Sequence, residues 1–73
     1  MQIFPNPTKS QLTFRNIPEN SVIEIYNLDG KVVKRISSHR NEYILDISFL
    51  KKGLYMIKSF SEEYFLSELL VKE

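Results

Sequence analysis

The chain reads as an all-β fold, a small antiparallel β-sandwich of about seven short strands. Three observations predict it. Its apolar residues fall in short runs rich in Ile, Val, Leu, Phe and Tyr, with no sustained helical period. Turn signals recur between those runs, at Pro5 and Pro7, at Pro18-Glu19-Asn20-Ser21, at Asp29-Gly30 and at Gly53. A length of 73 residues supplies one core and no room for a second, so residues 1–73 are read as a single domain.

A first strand is expected at residues 1–4, ended by Pro5 and Pro7, which have no N–H to give to a ladder. Asn6 precedes a proline and is pushed towards extended geometry, so Pro5-Asn6-Pro7 makes a stiff extended corner that sets the strand's register. Thr8-Lys9-Ser10 is turn chemistry, and residues 11–15 form a second strand in which Leu12 and Phe14 alternate with polar neighbours. The third, at residues 22–28, puts Ile23 and Ile25 on one face and Glu24 and Tyr26 on the other. Asp29-Gly30 is the strongest hairpin signal, because it tolerates the positive φ angles of a tight two-residue turn. Residues 31–36 return as the fourth strand.

Residues 37–41 are a polar loop carrying His39, the single histidine. The fifth strand, at residues 42–47, shows Tyr43, Leu45 and Ile47 on one face, and Phe49 and Leu50 are expected to tuck under the connection after it. Gly53 opens the sixth strand, whose body is residues 54–60. Ser61-Glu62-Glu63 turns the chain into a terminal strand at residues 64–72, apolar on both faces at Leu69-Leu70-Val71. A helix over residues 63–73 is the weaker alternative, since Glu and Leu are good helix formers. Seven short strands at this turn spacing suggest an immunoglobulin-like sandwich.

A domain this small is marginally stable without a staple, and the absence of cysteine removes both disulfides and thiolate metal sites. The net charge is +1, too even for the basic stripe of a nucleic-acid binder. Lys31, Lys34, Arg35, His39 and Arg40 could form a small basic edge, for which solvated charges are the simpler account. No run approaches the ~18 apolar residues of a membrane span, so no membrane insertion is expected. The first residues lack the basic flank and apolar centre of a signal peptide, so any export address is expected elsewhere.

Little here could do chemistry. A nucleophile needs an adjacent base and a group to orient it, and His39 sits in a polar loop beside Arg40. The carboxylates show no calcium-loop spacing, and Asp29 is explained by its turn. Gly30 and Gly53 are isolated, which leaves no phosphate-cradling loop. The expectation is a non-enzyme with no catalytic residues, no metal and no cofactor.

Three signals and a terminal strand carry the functional reading. Phe4-Pro5-Asn6-Pro7 comes first, followed by the strand at residues 11–15. Ile25-Tyr26-Asn27-Leu28-Asp29-Gly30-Lys31-Val32-Val33 lies in the middle, then Asp46-Ile47-Ser48-Phe49-Leu50-Lys51-Lys52-Gly53-Leu54-Tyr55. Leu69-Leu70-Val71-Lys72 closes the set. In this order the segments resemble the C-terminal sorting domain of the type IX secretion system, over essentially the whole chain. That family opens on aromatic-Pro-Asn-Pro, turns at a Tyr-Asp-x-x-Gly-type segment and continues with Asp-x-Ser-x-Leu-x-x-Gly-x-Tyr. One departure stands out: the family's terminal strand commonly carries paired lysines where this chain has Ser67-Glu68, and Glu73 follows Lys72.

The resemblance implies a secretion signal of Bacteroidetes-type bacteria, fused behind a cargo domain N-terminal to this chain. The cargo would cross the periplasm in transit and reach the cell surface or the medium through the type IX machinery. A sortase-like cysteine protease would then remove the signal. Translocon recognition is expected at Leu69, Leu70, Val71 and Lys72, where strand addition at a sheet edge could read the chain. Pro5, Asn6, Pro7, Tyr26, Asp29, Gly30, Lys31, Asp46, Gly53 and Tyr55 are expected to be structural. Gly53 would free the backbone to enter a strand, and Tyr55 would bury its ring while its hydroxyl finds a partner. An open apolar edge also makes an edge-strand dimer a candidate state. Rival readings are an immunoglobulin-like or fibronectin-like structural or adhesion module, and a carbohydrate-binding module using Tyr26, Tyr43 and Tyr64.

Overall fold

The computed structural model describes residues 1–37 and 40–73, so the expectations placed on His39 lie outside the described residues. The described residues contain seven strands and no helix: β1 (Gln2–Phe4), β2 (Gln11–Arg15), β3 (Val22–Tyr26), β4 (Val32–Ser37), β5 (Glu42–Asp46), β6 (Gly53–Phe60) and β7 (Phe65–Lys72). They form two antiparallel sheets, ordered β1-β2-β5 and β4-β3-β6-β7. The chain enters the second sheet at β3, returns to the first for β5 and crosses again at β6, as an immunoglobulin-like sandwich does.

The period-two pattern decides which side chains go inside. Leu12 and Phe14 of β2, Ile23 and Ile25 of β3, Leu45 of β5, Tyr55 and Ile57 of β6 and Leu70 of β7 fill the space between the sheets, joined by Ile17, Ile36, Ile47 and Leu50. Fully burying an aliphatic or Phe side chain is worth about 1.5–3 kcal/mol, so this cluster does most of the stabilising. The helical alternative for residues 63–73 is excluded: β7 pairs in register with β6 from Phe60↔Phe65 to Gly53↔Lys72. Only half of the expected tuck after β5 forms. Leu50 is buried, whereas Phe49 is 55 % exposed.

The sandwich has two poles. At one, the loops 16–21 and 61–64 meet the start of β1, where Ser59 Oγ contacts Met1 Sδ at 4.0 Å. At the other, the far pole, lie the corner 5–10, the turns 27–31 and 47–52, and the end of β7. Chain start and chain end therefore sit at opposite poles.

Candidate functional site

β7 is gripped along part of its length from both sides. On one side it pairs with β6. Facing its other edge, the Asn6 side-chain amide donates to Leu69 O at 2.7 Å, and Val71 N donates to Asn6 Oδ1 at 3.0 Å. Thr8 N then donates to Val71 O at 2.9 Å, and Glu73 N donates to Thr8 O at 2.7 Å, in a short parallel bridge. A carboxamide offers the same donor and acceptor as a peptide group, so Asn6 substitutes for one residue of a missing strand. Pro5 and Pro7 flank it with cis peptide bonds at Phe4-Pro5 and Asn6-Pro7. The corner thus does more than end β1: it covers the open edge of β7 over residues 69–73.

Within that clamped half the side chains divide by the pleat. Leu70 is fully buried and Lys72 is buried, its Nζ donating to Glu73 O at 3.0 Å. Leu69 is 46 % exposed on the outer face and Val71 beside it is half-buried. Upstream, Ser67 is exposed with its Oγ 3.1 Å from Met56 Sδ, and Glu68 is half-buried opposite Ile57. The four residues expected to meet a partner therefore present two to solvent and two to the core.

Asn27 organises the middle segment. Its Oδ1 accepts from Asp29 N and Lys31 N, both at 3.0 Å, while Gly30 N donates to Asn27 O. The turn therefore spans residues 27–30, with positive φ at Gly30 alone. The expected two-residue Asp29-Gly30 turn does not form, because the Asn27 side chain begins the turn two residues earlier and ends β3 at Tyr26. At Gly30 (φ +86°) open space surrounds the missing Cβ, so the left-handed backbone is what favours glycine there.

The third segment forms a corner before β6. Asp46 Oδ1 accepts from Ser48 N at 2.9 Å and Ser48 Oγ at 2.7 Å, which holds its carboxyl below the ordinary carboxylate value. Gly53 opens β6 at φ +154°. The Tyr55 ring is buried and its hydroxyl donates back to Lys51 O at 2.6 Å. This is the tyrosine corner of immunoglobulin-like sandwiches, in which an aromatic ring anchors in the core and its hydroxyl pins the preceding crossover.

All four segments thus gather at the far pole, around the end of β7. The family model for the secretion system C-terminal sorting domain matches residues 2–73. The chain belongs to that family, the sorting domains of type IX secretion. No curated protein matches it. As a sorting domain it acts with a cargo polypeptide N-terminal to it and with the type IX machinery, and it directs secretion to the cell surface or beyond. The family is in general non-catalytic.

Two polar networks of the sorting domain escaped the sequence reading. Glu24, on the outer face of β3, is only 3 % exposed. Tyr26 Oη donates to its Oε1 at 2.5 Å, and the Arg35 guanidinium grips Oε2 through Nε at 2.7 Å and through Nη2. The Tyr26 hydrogen bond first, then the Arg35 fork, holds the Glu24 carboxyl below its ordinary value of 4.5, and the same bond raises the Tyr26 phenol. Lys58 Nζ lies 4.6 Å from the centroid of the Tyr26 ring. At the pole opposite the far pole, Tyr64 Oη donates to Ser21 Oγ at 2.7 Å and lies 2.5 Å from Ser59 Oγ. Ser21 donates in turn to Pro18 O. Alternation marks Glu24 and Tyr26 as one face, but not that Arg35 of the next strand would pair with them there.

Proposed function

We propose that this sorting domain is a non-catalytic export signal that the type IX translocon reads as a folded unit. Fused behind its cargo, it is met in the periplasm, conducted through the outer-membrane translocon and then cleaved by a sortase-like cysteine protease. The cargo is left attached to the surface or free. The observation that carries this reading is the family match over residues 2–73, together with the use those residues make of their side chains. Asn6, Asn27, Asp46 and Tyr55 spend their hydrogen bonds inside the fold, on the terminal strand and the turns beside it.

In this reading Leu69 and Val71 offer the outward contact of β7, while Leu70 and Lys72 hold the strand in place. Strand addition at residues 69–73 would first have to displace Asn6 and Thr8. An edge-paired dimer would therefore use residues 65–68 of β7 or the outer edge of β4, β1 or β5.

The test is export of a fluorescent reporter carrying a signal peptide at its N-terminus and residues 1–73 at its C-terminus. Reporter reaching the surface or medium in a type IX-competent strain, and trapped in a translocon-deficient one, supports the proposal. Reporter held in the periplasm of both strains, with the domain folded, leaves a structural or adhesion module instead.

A further inference from the structure

Two turns at the far pole each carry a large apolar side chain that the fold does not use. Leu28 is 70 % exposed in the turn 27–30, and Phe49 is 55 % exposed in the turn 47–50. Turn corners ordinarily hold Gly, Pro, Asn, Asp or Ser. Both turns are already closed by other groups: the first by Asn27 Oδ1, the second by Asp46 Oδ1 and the Leu50 N to Ile47 O bond of 3.0 Å. Any polar residue would serve the fold at either corner. Between the turns lies an open groove of about 410 Å³, lined in part by Lys31, Val32, Phe49 and Lys51. Lys31 and Lys51 line it with positive charge, and the exposed Lys52 follows in the chain at the same pole.

The position of this patch follows from the chain ends. Met1 lies at the opposite pole, so a cargo preceding this domain leaves from there, beside the acidic loops of Glu19 and of Glu62 and Glu63. The far pole points away from the cargo. Rigid apolar anchors within a polar rim are how a small surface achieves affinity, because the ordering cost is already met by the fold.

We propose that Leu28 and Phe49 are paired anchors by which the far pole docks into a protein of the export machinery. The complementary site is an apolar pocket edged by Asp and Glu carboxylates that face Lys31, Lys51 and Lys52. This rests on the sorting reading and deepens it by naming the face that is read. A protein suits the patch better than an anionic bilayer: Asp29 and Glu73 share the pole, and two fixed turn corners bury little area in lipid.

The experiment compares reporter export by the wild-type fusion, the Leu28→Ser/Phe49→Ser double variant and a Phe65→Ser control. Phe65 is as exposed as the anchors but lies at the cargo pole. The expected result is a loss of export of about tenfold or more in the double variant, with Phe65→Ser near wild type. Thermal midpoints of the isolated domains should stay within about 3 °C, since exposed sites move stability little. Lys31→Glu/Lys51→Glu/Lys52→Glu should reduce export in the same direction. Full export of the double variant, with wild type also exported, overturns the anchors and leaves the sorting reading intact. No export of wild type removes the sorting reading itself. Two further readouts on purified domain decide the class of partner. Flotation with phosphatidylglycerol vesicles that the double variant loses would make the patch a lipid contact. Sedimentation showing self-association that the double variant loses would make it a contact between copies. Either result overturns the proposal.

Discussion

The two halves of the terminal strand share a neighbour, β6, and differ in everything else. Residues 69–73 are bonded on both edges, to β6 and to Asn6 and Thr8, and they bury Leu70 and Lys72. Residues 65–68 have Phe65 and Ser67 exposed on one face and half-buried Leu66 and Glu68 on the other. Leu69-Leu70-Val71-Lys72 falls on the clamped half, and Pro5-Asn6-Pro7 with Thr8 supplies the groups that clamp it. The opening Pro-Asn-Pro and the closing apolar strand are thus one structural device, split by the length of the chain. A signal built this way is a surface held in shape, and its last residues are part of a sheet.

The largest effect expected from breaking that device is at Leu70. Leu70→Ala should cost about 2–5 kcal/mol in urea unfolding, because a filled position in the core becomes a cavity. Leu69→Ala, one residue away on the outer face, should cost about 0.5 kcal/mol or less. Equal losses at the two positions would mean that the inside–outside division of β7 is wrong. Asn6→Ala comes next, at about 1–2 kcal/mol for two lost hydrogen bonds, and Ser67→Ala should be nearly silent. Tyr55→Phe isolates a single bond, to Lys51 O, and should cost about 1 kcal/mol with the ring still buried.

The smallest effect sharpens the contrast between the clamped edge and the outer face of β3. Glu24 is held ionised in the folded chain, so the unfolded chain takes up its proton first as pH falls. Its contribution is complete above about pH 4.5 and is lost as pH drops through the lower folded value. Tyr26 works in the opposite sense, its contribution present below pH 10.0 and lost above it. Glu24→Gln should flatten the acid limb of the stability–pH curve, whereas Asn6→Ala should lower the curve at every pH. An unchanged acid limb in Glu24→Gln would show that the network adds no linked stability.

Strand positions were legible because alternation and turn chemistry act over a few residues. Leu12 and Phe14, or Tyr43 and Leu45, declare their faces within one strand. The clamp was not legible, since Asn6 and Leu69 lie 63 residues apart and nothing local shows that a carboxamide will stand in for a strand. Two misreadings have one cause, a side chain taking over a backbone role: Asn27 moved the turn expected at Asp29-Gly30, and Asp46 and Ser48 fixed a corner that leaves Phe49 outside. Alternation put Glu24 and Tyr26 on one face, and nothing local showed that Tyr26 and Arg35 would bond the same carboxylate.

Residues 69–73 form a clamped strand and not a free tail. Amide hydrogen exchange of Val71 and Glu73 tests the clamp most directly, because their N–H groups point at Asn6 and Thr8 and away from β6. Protection close to that of the β6 amides is expected in wild type, with its selective loss in Asn6→Ala while β6 stays protected. Exchange of Val71 and Glu73 as fast as that of Ser67 in the wild-type domain would contradict it.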